Sequence, residues 1–301
     1  MDANRVRAEI HKIAAANGVD EIRFTDAGDF EPYDVFHGRQ PADVLAGAKS
    51  IVVCSAYIGP FYLPEWSGDS HAKTSRLTLS GFYYNLVEPL LPVADYLAGQ
   101  GFNAVISDGE AGTGDIPLKP AAVRAGLGWI GKNSLLINEK YGSWQAIGAI
   151  ITDADLGEPN RAAADRCGTC GRCAAACPME ALARPYALDR GKCLSDLLES
   201  ASLDDAVLKA ANGYIFECDI CQNACPWNRK HAAAPLPVAG RNSFDSRDAM
   251  AGLLDFRQLL SLDEDSYNAT IIKALPGIGL TYAEFRRNLA AAADTIHGAR
   301  R

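Results

Sequence analysis

Eight of the nine cysteines in this 301-residue chain lie between Cys167 and Cys225. Cys167, Cys170, Cys173 and Cys177 stand in the run CGTCGRCAAACP. Cys218, Cys221 and Cys225 stand in CDICQNACP, and Cys193 sits between the runs in DRGKCLSD. Closely spaced thiolates wrap one face of a four-iron cube, and each cube needs four of them. In the bacterial two-cluster pattern, the cysteine before the proline ligates the other cluster rather than its own. That rule closes both sets. Cys167, Cys170 and Cys173 take Cys225 as their fourth ligand, and Cys218 and Cys221 take Cys177 and Cys193. Paired C-x2-C units also bind structural zinc, but C-x2-C-x2-C followed by C-P, and then a second C-P, is more specific to clusters. A cubane carries one electron at a time, so two cubanes held close by exchanged ligands form a wire. A wire needs an external electron donor, of ferredoxin or flavodoxin type, and something to reduce.

The rest of the chain must position these ligands. Its length suits one large domain or two ordinary ones. No apolar run reaches the eighteen or so residues of a membrane span, and the N-terminal residues have no apolar signal core. A cytoplasmic protein is expected, where structural disulfides do not persist. The net charge of −8 argues against a broad nucleic-acid surface and leaves room for a local basic patch. Residues 4–17 read as an amphipathic helix, and 21–27, 50–58 and 103–109 as strands. A helix over 75–99 should kink or break at Pro89 and Pro92. After a short helix at 119–128, residues 134–138 and 143–153 read as two strands around the turn EKYG. The expected architecture is an α/β N-terminal domain over 1–155, a ferredoxin-like two-[4Fe–4S] module over 156–230 and a helical C-terminal segment over 231–301. Cys54, in the middle of an apolar strand, reads as a small core residue.

Residues 126–132, GLGWIGK, match G-x-G-x-x-G, but helix precedes and strand follows, the inverse of a dinucleotide-binding turn. The glycines either form a tight turn or let backbone approach a flat ligand.

The order of AVRAGLGWIGKNSLLI, YGSWQAIGAIITD, CGTCGRCAAACPMEAL, YALDRGKCLSDL and CDICQNACPWN resembles the epoxyqueuosine reductases, and FRRNLAAA resembles their segment after the clusters. The resemblance covers most of the chain and is most specific over 122–228. It implies a cobalamin-dependent iron–sulfur enzyme, related to the reductive dehalogenases, that reduces the epoxide of a modified tRNA base to an alkene in queuosine synthesis. It implies a corrinoid between the α/β domain and the clusters, facing Gly126, Gly128, Gly131, Lys132, Asn133 and Ser134. It also implies a carboxylic acid as proton donor. The family's D-T-x-P-x-x-E-R segment corresponds to GTGDIPLKP, where Asp115 is the nearest acid; Asp108, Glu110 and Tyr83 are its rivals. Lys119 and Arg124 are candidates to meet phosphate or corrin side chains. SRLTLSGFYYN keeps Arg76 and Tyr83 of the family's A-R-Y-x-x-G-x-D-Y-H. The chain stops before the C-terminal helical repeats of many members, which sets a small molecule beside tRNA as the alternative substrate. The alternative class is a ferredoxin-like electron-transfer protein without cobalamin.

Anaerobic protein is expected to hold about eight irons and eight sulfides. Cys193→Ala should damage the cluster of Cys218 and Cys221 and spare the other, as read by iron analysis and visible absorbance. Zinc in place of iron would overturn the ligand assignment.

Overall fold

Four strands build the first unit, of which the two central ones are buried along nearly their whole length. β1 (Glu21–Asp26), β2 (Ser50–Tyr57), β4 (Ala104–Ser107) and β7 (Gln145–Thr152) form one sheet in the order β1–β2–β7–β4, antiparallel at every step. The computed structural model describes residues 2–30, 39–82, 86–107, 116–158, 162–231, 247–275 and 278–298. Helix α1 (Ala3–Ala16) starts where the Asp2 carboxylate accepts the Asn4 and Arg5 N–H groups, and it buries Val6, Ile10 and Ala14. Helix α3 (Val87–Gly99) buries Leu90, Val93 and Leu97. It meets the sheet at Gly148, where an added Cβ would lie 2.8 Å from Leu86 Cδ2. On the other face, helix α4 (Leu118–Arg124) packs Ala121 and Ala122 against Ile51, Val53, Ala149 and Ile151. Each Val or Ile side chain so withdrawn from water contributes about 1.5–3 kcal/mol.

Two expectations change, within an α/β unit whose strands alternate in direction. Apolar runs report burial on both faces, not strand direction. Among the described residues, the stretch 75–99 holds α2 (Arg76–Ser80) and α3 rather than one continuous helix. The break comes at Gly81, which caps α2 at φ 72°, and not at the prolines. Pro89 falls in the first turn of α3, where the missing N–H has no partner to lose, and α3 runs on through Pro92. Finally, residues 134–138 do not pair with 143–153. β5 (Trp129–Ile130) and β6 (Leu136–Ile137) pair with each other, and only an Asn138–Gly142 bridge closes the EKYG loop.

The chain divides into two compact units that interleave in sequence: residues 1–57, 84–131 and 135–168 in the first, and 58–83, 132–134 and 169–301 in the second. In the second unit, β3 (Lys73–Thr74) runs parallel to β8 (Tyr214–Phe216), and helices α5 (Arg172–Ala176) and α6 (Ile220–Asn223) pack on each other. Leu194, Leu198, Ala211 and Tyr214 form a small core. Helix α7 (Tyr282–Gly298) buries Asn288, whose amide donates to the carbonyls of Leu198 and Ile215, both at 2.9 Å. One buried side chain thus satisfies two backbone acceptors beside β8. No helix among the described residues is long and apolar enough to cross a membrane.

Gly128 is fixed by the β5–β6 hairpin, since a Cβ there would overlap the Ile137 carbonyl group. Gly128→Ala should therefore lower stability by about 2 kcal/mol or more in denaturant unfolding, whether or not a cofactor is present.

Candidate functional site

The cysteine runs fold into short turns that leave side chains free to converge. In the first run, the Cys167 N–H donates to Asp165 Oδ1 at 2.8 Å, and Gly168 takes φ 49°. Cys173 lies on α5, which stops at Cys177 as the backbone becomes extended ahead of Pro178. Cys193 caps the helix Leu194–Leu197, its carbonyl accepting the Asp196 and Leu197 N–H groups. Cys218 follows β8, and its sulfur accepts the Ile220 N–H at 3.4 Å. Cys221 lies on α6, and the buried Cys225 follows one residue after the helix cap.

Burial pushes the Cys218 thiol up to about 12, with Asp219, Cys193 and Cys177 adding to the shift. Burial also raises Cys221 well above the usual thiol range, with Cys218, Asp219, Cys193 and Cys173 adding. Cys177 and Cys193 thus act on Cys218, and Cys173, Cys193 and Cys218 act on Cys221, thiols drawn from both sets that the ligand-exchange rule assigns; among the described residues no three His, Cys, Asp or Glu side chains stand together as ligands of a single metal ion. Thiols held so far from ionisation become thiolates only beside a strong positive charge, which iron supplies. The donor set fits that requirement.

A strap of the second unit holds Cys218. The Thr74 hydroxyl donates to the Phe216 carbonyl at 3.0 Å. The Ser75 hydroxyl donates to the Glu217 carboxylate, and Thr78 Oγ1 donates to Glu217 Oε2 at 2.9 Å. The Arg76 N–H donates to Asp219 Oδ2 at 2.8 Å. Glu217 and Asp219 are both buried, and Glu217 adopts φ 49°. Burial pushes Asp219 up to about 6, against the pull of the Arg76 N–H bond and charge. Sequence reasoning missed this strap. Its one local signal was an acid between two ligands in CDIC.

The glycine turn divides its work. Gly126 ends α4 at φ 79°, and the Leu127 N–H returns to the Ala122 carbonyl. The Gly131 N–H donates to the Leu135 carbonyl at 2.8 Å within the hairpin. Lys132 reaches the first cysteine run instead, its Nζ donating to the Cys170 carbonyl at 2.9 Å. Asn133 is buried, and Ser134 sits in a left-handed bend at φ 60°. Arg124 is engaged within the first unit: its Nη1 donates to Asp26 Oδ1 at 3.2 Å and to the Gly28 carbonyl at 2.7 Å, and its guanidinium covers the Phe30 ring. Lys119 is exposed. Asp115, Asp108, Glu110 and Tyr83 lie outside the described residues.

Residues 166–228 match a 4Fe-4S double cluster binding domain. An epoxyqueuosine reductase of Synechocystis is 35% identical over 208 residues, 67% of this chain and 70% of that protein. One of Gloeobacter violaceus is 37% identical over 63% of this chain and 60% of its own length. Among solved structures, epoxyqueuosine reductase of Bacillus subtilis, seen with its catalytic aspartate loop swung out of the active site, superposes with TM-score 0.79 at 22% identity, over 99% of this chain and 84% of that one. An epoxyqueuosine reductase bound to an epoxyqueuosine-modified tRNA stem loop superposes with TM-score 0.80 at 22% identity and the same coverage. A reductive dehalogenase linked to B12-dependent dehalogenation superposes with TM-score 0.51 at 18% identity, over 73% of this chain and 31% of its own.

Glu199, half-buried near this region, has its carboxyl pushed up to about 7 by burial, with Glu217 and Asp196 adding. A folded-state value above the ordinary 4.5 means that the folded chain holds this proton more tightly, so stability falls as pH rises from about 4.5 to about 7. Glu199→Gln should gain in melting temperature over the unsubstituted chain between pH 5 and pH 8, with little gain at the acid end.

Proposed function

The chain belongs to the epoxyqueuosine reductase family, and from that premise we propose that it reduces the epoxide of epoxyqueuosine in tRNA. One observation supports the reading beyond kinship: Cys177 and Cys193, from separate stretches of sequence, lie close enough to Cys218 to shift its thiol beside a buried strap. In this reading two [4Fe–4S] clusters are held, one by these four thiols and one by Cys167, Cys170, Cys173 and Cys225. Gly126, Gly128, Gly131, Lys132, Asn133 and Ser134 form the turn assigned to a corrinoid. Asn133 is buried in this turn, and Ser134 bends it through a left-handed conformation. When bound, the clusters deliver single electrons and the corrinoid cobalt supplies the reducing centre.

The protein's own part is to hold, orient and protonate. Opening an epoxide to an alkene releases its oxygen, which must leave with protons. A general acid within hydrogen-bond reach lowers that barrier. Asp115 is the assigned donor. It precedes the buried Ile116 and the start of α4, and the apolar neighbours Ile116, Pro117 and Leu118 would favour its protonated form. The Bacillus subtilis enzyme likewise carries its catalytic aspartate on a loop. Lys132 holds the backbone of the first cysteine run through Cys170, and the strap over Glu217 and Asp219 holds the second. The electron donor is assigned as a ferredoxin- or flavodoxin-like protein.

Protein loaded with iron, sulfide and cobalamin should convert epoxyqueuosine-containing tRNA to the queuosine form with a chemical reductant. Asp115→Asn should keep its iron and corrinoid absorbance yet lose about a hundredfold or more in turnover. Full activity in Asp115→Asn would move the donor role elsewhere. A loaded but inactive parent protein would overturn the substrate.

A further inference from the structure

Cys218 is flanked in sequence by two carboxylates, and both are withdrawn from water. Asp219 is 1% exposed and Glu217 is 7% exposed. Each oxygen of Asp219 accepts a bond, Oδ2 from the Arg76 N–H at 2.8 Å and Oδ1 from Gln222 Nε2 at 2.9 Å. Arg76 is itself buried. Its Nη1 donates to the Gly59 carbonyl, and its guanidinium lies over the Tyr62 ring at 4.8 Å. The Asp219 carboxylate is thus fixed in low-dielectric surroundings next to a cluster ligand, with the Arg76 charge close enough to act on it, and there a charge acts far more strongly than it would in water.

We propose that Asp219 and Arg76 are positioning residues that set, in opposite directions, the reduction potential of the cluster held by Cys177, Cys193, Cys218 and Cys221. The inference rests on the cluster reading above. An electron added to the cluster is repelled by the Asp219 carboxylate and attracted by the Arg76 guanidinium. The strap keeps both in place. Ser75 and Thr78 anchor Glu217 on one side of Cys218, and the Arg76 backbone anchors Asp219 on the other, so the sulfur cannot move relative to either charge without breaking buried hydrogen bonds. Nothing comparable flanks the first run, where Gly168 and Thr169 follow Cys167 and Gly171 and Arg172 follow Cys170, all of them exposed.

The test is an anaerobic redox titration of iron- and sulfide-loaded protein, following each cluster by its electron paramagnetic resonance signal. Asp219→Asn keeps the shape, and the Gln222 amide can turn to meet it. It should move this cluster to a more positive potential, changing the reduced-to-oxidised ratio at a fixed potential by on the order of tenfold. Arg76→Met should move it the other way. The cluster of Cys167, Cys170, Cys173 and Cys225 should shift much less in both. A merely structural role would lower iron content or melting temperature in both variants without shifting the potential in opposite senses. Unchanged potentials in fully loaded variants, or shifts of the same sign, overturn the inference. If either variant fails to load, Gln222→Leu removes a donor from Asp219 without removing a charge and should lower the potential; no shift there overturns the inference as well. Parent protein that takes up no iron would instead overturn the cluster reading on which this rests.

Discussion

The second unit depends on burying two carboxylates without stranding them. An ionised carboxylate taken out of water without partners costs several kcal/mol, so Glu217 and Asp219 can be placed only once donors are waiting. Those donors come from Ser75, Arg76 and Thr78, about 140 residues earlier in the chain. The same contacts run β3 alongside β8 and explain why residues 58–83 count with the cysteine-bearing unit rather than with the sheet that precedes them. Asn288 closes the other side by satisfying the Ile215 carbonyl. The position of Cys218 is therefore set from both ends of the sequence.

What the sequence made legible follows from how locally each feature is encoded. The double cluster domain declares itself because iron demands one residue type at short spacing, while the exchange of ligands between the runs is proposed from the proline after the last cysteine. Strand positions at 21–26, 50–57 and 104–107 were readable because apolar runs mark burial. Strand direction was not, since β2 and β7 look alike whether their neighbours run parallel or antiparallel. The hairpin of β5 with β6 depends on Gly128 meeting the Ile137 carbonyl, a contact across nine residues that no periodicity records. The helix break at Gly81 was passed over in favour of two prolines, although a glycine able to take φ 72° ends a helix as surely.

At the candidate site the same division holds. Thiols could be named, whereas Ser75, Arg76, Thr78, Glu217 and Asp219 matter through burial and partnership that span the chain. Lys132 shows the limit from the other side. It was assigned to a corrinoid from its place after a glycine turn, and its amine is seen holding the backbone at Cys170.

The interleaving of the units bears on how the protein is made and whether its parts can be moved. Residues 166–228, the stretch matched as a double cluster domain, contain every cluster cysteine but neither the strap at 74–78 nor Asn288. Cut out as a cassette, that stretch would carry the Glu217 and Asp219 carboxylates and the Leu198, Ile215 and Phe216 carbonyls without the donors that the strap and Asn288 supply. On the ribosome the strap emerges early and waits while more than a hundred further residues are synthesised. The cysteine-bearing unit therefore cannot complete its buried hydrogen bonds until Asn288 has also been added.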